Sequence, residues 1–130
     1  VTIIHLIHFN IMAQYQLDSP HHPTATGEQA ISGRSAFFDR YLPAAERAVE
    51  ASNIDPPVTH FFSTNVTNLL PHNDIAWDVA AVRQFCSFAA YTTYQTSREY
   101  VEYAVPHREA ALADWSLVAC IGEGFPGGKV

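Results

Sequence analysis

The sequence predicts an α+β fold, a ferredoxin-like four-stranded antiparallel sheet with helices on one face. Three observations carry that prediction. The chain opens on a β-branched run, "VTIIHLIHFNI", that is apolar at alternate positions on both faces. Two later stretches have the 3.6-residue apolar spacing of helices. Shorter β-rich runs lie between and after them, in the order β-α-β-(α)-β-α-β, the split βαβ arrangement. With 130 residues, 48% of them hydrophobic, the chain is long enough for one core. The expected domain is 1–123, followed by a tail at 124–130.

Residues 1–11 form the first strand, with Val1, Ile3, His5, Ile7 and Phe9 on one face and Thr2, Ile4, Leu6 and His8 on the other. Residues 12–32 hold "SPHHPTATGEQ" and read as an inserted loop. In "SAFFDRYLPAAERAVEAS" the apolar residues fall at 37, 38, 41, 42, 45 and 49, a helical spacing that Pro43 interrupts. "PPVTHFFSTNV" (56–66) is the second strand. "DIAWDVAAVRQF" (74–85) reads as a short amphipathic helix within an insertion at 68–84, and "CSFAAYTTY" (86–94) as the third strand. Thr96-Ser97-Arg98-Glu99 has the S/T-x-x-E form of a capping box, so a helix opens there, breaks at Pro106 and resumes through "HREAALAD". "SLVACIG" (116–122) is the last strand, and "EGFPGGKV" a glycine-rich tail with no helix after it to make a phosphate loop.

Helices on one face leave the other face of an apolar sheet bare. A second copy of the chain, sheet against sheet, is the simplest cover, so a homodimer is expected. The net charge of -6 and only seven Lys and Arg argue against nucleic acid or an anionic membrane as partner. No stretch reaches the ~18–20 apolar residues of a membrane span. Cys86 and Cys120 read as small core hydrophobes of a reducing, cytoplasmic compartment. No metal site is expected: His5 and His8 point to opposite faces of a strand, His21 and His22 share a loop, and no HExxH-type set occurs.

Chemistry is expected at "EYAVPHREA" (102–110). If the chain turns at Val105-Pro106, His107 begins a new helical segment, where the dipole disfavours imidazolium and leaves a neutral base. Tyr103, at the end of the preceding segment, supplies a phenol for a developing oxyanion. A tyrosine at a helix end with a surface histidine beside it is the plain alternative.

Four stretches, in order, resemble the stress-responsive dimeric α/β-barrel family, which includes plant olivetolic-acid-type polyketide cyclases. They are "IIHLIHFNI", "AFFDRYL", "FAAYTTYQTSREYVEYAVPH" and "WSLVACIG". The family's H-P-x-H run survives only as Val105-Pro106-His107. The resemblance implies a dimeric α/β barrel and a cofactor-independent enzyme closing a linear poly-β-keto chain by an aldol-type reaction. In that scheme His107 is the base and Tyr103 holds the enolate. His5 and Tyr41 are polar fixtures, and Ile7, Phe9, Phe37, Phe38, Ala90, Thr92, Tyr100 and Trp115 wall an apolar pocket. Carbon–carbon lyases such as the plant cyanohydrin lyases, dehydratases or decarboxylases are alternatives on the same fold. So is a non-enzymatic, stress-associated binding protein.

Overall fold

The computed structural model describes residues 1–67 and 76–120. Four antiparallel strands form one sheet: β1 (Thr2–Phe9), β2 (Val58–Thr67), β3 (Ala76–Gln84) and β4 (Leu112–Cys120), in the order β2-β3-β1-β4. That order, with both crossover connections made by helices on one face, is the ferredoxin-like arrangement. β1, the apolar run that opens the chain, is one of the two interior strands, with β3.

Register decides which side chains meet the helices. His5 lies opposite Ala81 and Leu117, Ile7 opposite Val79 and Trp115, and Ile3 opposite Arg83. Because strand side chains alternate, these residues share one face. Ile3, Ile7, Val79 and Ala81 are buried there. The other face carries Ile4, Leu6, Val82 and Val118, partly or largely exposed.

Several readings of the sequence are corrected. Residues 76–84 form a strand, not an amphipathic helix: Trp77, Val79 and Ala81 are buried while Asp78, Ala80 and Val82 are not, a period of two. The expected insertion at 68–84 is therefore in good part β3; residues 68–75 lie outside the described residues, as does the tail. "CSFAAYTTY" is no strand but opens α4 (Phe88–Gln95), capped by Ser87, whose Oγ accepts the Ala90 N–H at 3.0 Å. Ala90 and Tyr94, one turn apart, bury its inner face. Two errors of opposite sign left the strand count, and so the fold class, intact. Cys86 and Cys120 are exposed thiols rather than core residues.

The helices explain the prolines. Gly33–Ser35 (α2), a π-helical segment Ala36–Tyr41 and Leu42–Ala51 (α3) run on without a break. A second run follows Ser97, whose Oγ accepts the Tyr100 N–H at 3.2 Å and so caps it in place of Thr96. It contains a π-helical segment Tyr100–Ala104 and then α5 (Val105–Ala111). In both, the residue before proline closes the wide turn: Leu42 N–H donates to the Phe37 carbonyl, and Val105 N–H to the Tyr100 carbonyl. Proline has no N–H and its ring crowds the preceding turn, which an added residue in that turn relieves. Pro106 does not break the helix; the widened turn absorbs it.

Residues 10–33 strap across the end of α5, whose final carbonyls would otherwise lack partners. Asn10 N–H bonds the Ala111 carbonyl at 2.8 Å and Gln14 N–H the Ala110 carbonyl at 2.8 Å. A four-residue turn of helix, α1 (Pro23–Thr26), lies within the strap and ends on Gly27 at φ 72.

Candidate functional site

The two wide turns bring Tyr41 and Tyr100 together edge-on, with their hydroxyls 2.8 Å apart and both rings buried. Below them, between the helices and the sheet, lies a cavity of about 60 Å³ lined by His5, Arg83, Tyr91, Gln95, Arg108 and Trp115, among others. It opens beside edge strand β4, where Trp115 and Leu117 are about half exposed. Register brings His5, Arg83 and Trp115 to it from the sheet, and the helices bring the tyrosines and Arg108.

His5 is the unusual group. Its Nε2 is fully buried and has no hydrogen-bond partner among the described residues. Its ring meets Trp115 edge-on at 6.1 Å between centroids. Burial, and then the positive charges of Arg108 and Arg83, push its pKa down to about 4, so the imidazole is neutral at ordinary pH. Arg108 Nη1 donates to the Tyr100 hydroxyl at 3.0 Å, and Arg83 Nη1 to the Tyr94 hydroxyl at 3.1 Å. Burial raises the pKa of Tyr41 and Tyr94, which keeps both phenols protonated. A neutral imidazole thus faces a chain of donors (guanidinium, phenol, phenol).

His107 sits elsewhere. It is buried at 8% exposure, under the strap, and borders a groove with His21, Asp39, Arg40 and Arg47. The phenol that meets it is Tyr15, whose hydroxyl lies 2.6 Å from Nδ1; the His21 ring lies 4.4 Å away between centroids. Burial and the neighbouring His21 lower its pKa to about 4 as well. Tyr103 is exposed and lines neither the cavity nor this groove.

Of the residues expected at the site, His5, Tyr41, Tyr100 and Trp115 line the cavity together. Ile7, Phe9, Phe37 and Ala90 are buried, the first three in the core cluster with Phe38 packed against them; Thr92 is exposed. Sequence reasoning missed Arg83, Arg108 and Tyr15. Arg83 carries a usable signal, an arginine in phase with Val79 and Ala81, but only once 76–84 is read as a strand. Tyr15 carries none, since nothing in a loop's composition says what its tip will touch. Among the described residues no three His, Cys, Asp or Glu side chains gather to hold a metal ion, and no helix is long and apolar enough to cross a membrane.

Two histidines held neutral make the fold sensitive to acid. In the unfolded chain each regains the ordinary value of 6.5, against about 4 when folded. Between those values the unfolded state binds more protons. Stability present above pH 6.5 is therefore lost as the pH falls towards 4. Urea midpoints measured from pH 7 to 4.5 are expected to drop, with an uptake of roughly one to two protons on unfolding near pH 5 from these groups. A midpoint independent of pH over that range would contradict the assignment.

No protein-family model and no curated protein matches the sequence. Among solved structures the chain is similar to the RPA0582 protein of Rhodopseudomonas palustris, described as of unknown function: 22% identity over 90% of this chain and 77% of that one, with a TM-score of 0.65. The methylated form of RPA0582 aligns over 98% of this chain and 82% of that one, at 20% identity and a TM-score of 0.71. At these identities the likeness establishes the fold alone, and it agrees with the strand order above.

Proposed function

We propose that the protein is a cofactor-independent enzyme of proton-transfer chemistry, with His5 as its base and the Arg108–Tyr100–Tyr41 chain as its oxyanion stabiliser. The observation that carries this is the buried His5 Nε2, without a hydrogen-bond partner among the described residues, in a cavity that also holds the donors Arg83, Arg108 and the tyrosine hydroxyls. No hydrogen bond from the described residues engages Nε2, and in the Nδ1-protonated tautomer it is the ring's proton acceptor. The reaction is aldol-type closure of a poly-β-keto substrate, in keeping with the resemblance to the cyclases. Nε2 removes a proton between two carbonyls, and the enolate oxygen is held by Tyr100 and Arg108. The carbanion forms a carbon–carbon bond to a carbonyl further along the same molecule, and the proton returns to the new alkoxide. Run backwards, the same groups serve a carbon–carbon lyase. The cavity admits the reacting end, while the rest of the substrate lies along Trp115 and Leu117.

A second reading makes His107 the base in its groove, with Tyr15 in the role first given to Tyr103; the 2.6 Å contact between them favours it. Incubating the protein with linear β-polyketones and with cyanohydrins, followed by mass spectrometry, tests both. A ring-closed product or a released aldehyde is expected. Binding without turnover across both panels would make it a binding protein instead.

The functional unit is a homodimer, closed sheet to sheet into an α/β barrel. Ile4, Leu6, Val82, Val118, and the exposed Val58 and Phe62, give the face opposite the helices an apolar surface that no described element covers. An obligate interface of this kind buries upwards of ~2,000 Å². Light scattering at micromolar concentration should return the mass of two 14.4 kDa chains. A single-chain mass with an intact fold would contradict it.

A further inference from the structure

We infer that assembly of two copies through the bare sheet face is switched by protons: closing the sheets draws a proton onto His8 of each chain, so the dimer tightens as the pH falls from 8.5 to 6.5. The inference rests on the reading of that face as the dimer interface and adds how the interface is regulated.

Register maps the face row by row. Thr2, Ile4 and Leu6 of β1 lie opposite Gln84, Val82 and Ala80 of β3, and opposite Cys120, Val118 and Ser116 of β4. On β2, His60 and Phe62 continue the rows of Val82 and Ala80. The last row is acidic. His8 lies opposite Asp114 of β4 and pairs with Asp78 of β3, its Nδ1 3.0 Å from Oδ2. An ionised carboxylate only accepts, so Nδ1 carries a proton; the same Oδ2 accepts the Phe9 N–H at 2.8 Å. His8 Nε2 has no hydrogen-bond partner among the described residues. Asp114 forms no ion pair among them, and its Oδ1 accepts the Trp115 N–H at 2.8 Å. Opposed residues on neighbouring strands stand about 5 Å apart at Cβ, so the His8 ring has a carboxylate side chain on either side.

No permanent cation answers these acids. Arg34, Arg40, Arg47, Arg98 and Arg108 lie on the helical segments, and Arg83 turns to the helix side, opposite Ile3. The basic side chains on the described part of the face are His8 and His60, and His60 is two rows from the acids. A second copy brings the same face, so the dimer gathers two carboxylates from each chain against histidines alone. Carboxylates taken out of water without a positive partner oppose association. A proton on His8 Nε2 supplies that partner, and histidine is the side chain that changes charge near neutral pH. Asp78 from β3 and Asp114 from β4 are the charged groups that face it, and no described helix covers this side of the sheet. Stabilisation from such a proton is complete below histidine's ordinary value of about 6.5 and fades as the pH rises above it.

Analytical ultracentrifugation of the intact protein over a dilution series, at pH 6.5 and 8.5, tests this. Reductant is present because Cys120 shares the face. The window lies above the range in which His5 and His107 weaken the fold. The dissociation constant is expected to be at least about tenfold larger at pH 8.5 than at 6.5, the linkage of a proton taken up by each chain. His8→Gln, neutral and polar in the same place, should remove that dependence. Asp114→Asn takes one carboxylate from each chain; it should tighten the dimer at pH 8.5 and shrink the difference. The same constant at both pH values, a reversed sign, or a dependence kept in full by His8→Gln would overturn the inference. A single-chain mass at both pH values would sink the dimer reading as well, whereas a dimer indifferent to pH sinks this inference alone.

Discussion

Replacing His5 by leucine is expected to lower turnover by about 10²–10⁴, the contribution of a positioned general base. Leucine occupies the same face of β1 at similar size, so the fold and the binding of substrate change little. The pH dependence follows from the charge state. Nε2 must be unprotonated to act, and its pKa is near 4. In the wild type kcat/KM should therefore rise with pH through about 4 and then stay level across neutrality, a limb absent from His5→Leu. Tyr100→Phe removes one hydrogen bond to developing charge, with a loss on the order of 10–10³. As the two act on one enolate, the double variant should fall short of the product of the single effects. His107→Phe is expected to cost stability, since it leaves the Tyr15 hydroxyl only its 3.4 Å contact from Arg40, with turnover per folded molecule largely kept. If the penalties of His5 and His107 are reversed, the groove under the strap is the active site.

Gly33→Ala is expected to be the most damaging small substitution in the chain. A Cβ there would collide with the carbonyl oxygens of Asn10 and Ala111, both of them backbone. Neither can retreat easily. Asn10 O accepts the Gly33 N–H at 3.1 Å, and Ala111 O accepts the Asn10 N–H at 2.8 Å, which ties the strap to the end of α5. A loss of about 3–5 kcal/mol, or failure to fold, is expected, in the range of severe packing faults. Gly27→Ala is the control. Its φ is 72 but the space around it is open, so only the left-handed backbone is penalised, about 1–2 kcal/mol. Urea denaturation of the two variants gives the comparison. Near-equal losses would mean that the close approach at Gly33 is softer than the geometry requires.

The sheet was legible because residues 1–11 alternate apolar side chains on both faces, the pattern of an interior strand. The face of β1 that carries Ile3, His5 and Ile7 was assigned to one side by alternation alone, and the register places it under the helices. The exchange of strand and helix at 76–95 has a local cause. "WDVAAV" and "FAAYTTY" are short and rich in alanine, so neither period stands out over so few residues, and β-branched content pulled the second towards a strand. The prolines misled in an instructive way. From sequence, Pro106 ends a helix; in the structure a π turn takes up the missing N–H and the ring, and the helix goes on. Its effect is felt at Tyr100, which the wide turn brings to Tyr41. The histidine on the first strand was visible as a pocket group through the resemblance, whereas the arginines were not, because no spacing rule links residues 83 and 108. Only the fold brings them to one cavity.

The charge state of the His5 ring decides whether this cavity can host a base. Selective ¹⁵N labelling of histidine, with the ring nitrogens followed by NMR from pH 7.5 to 4, measures it without knowledge of the substrate. His5 is expected to remain neutral down to about pH 4. A His5 ring that titrates near 6.5 would contradict the claim that His5 is the buried, neutral base of this cavity.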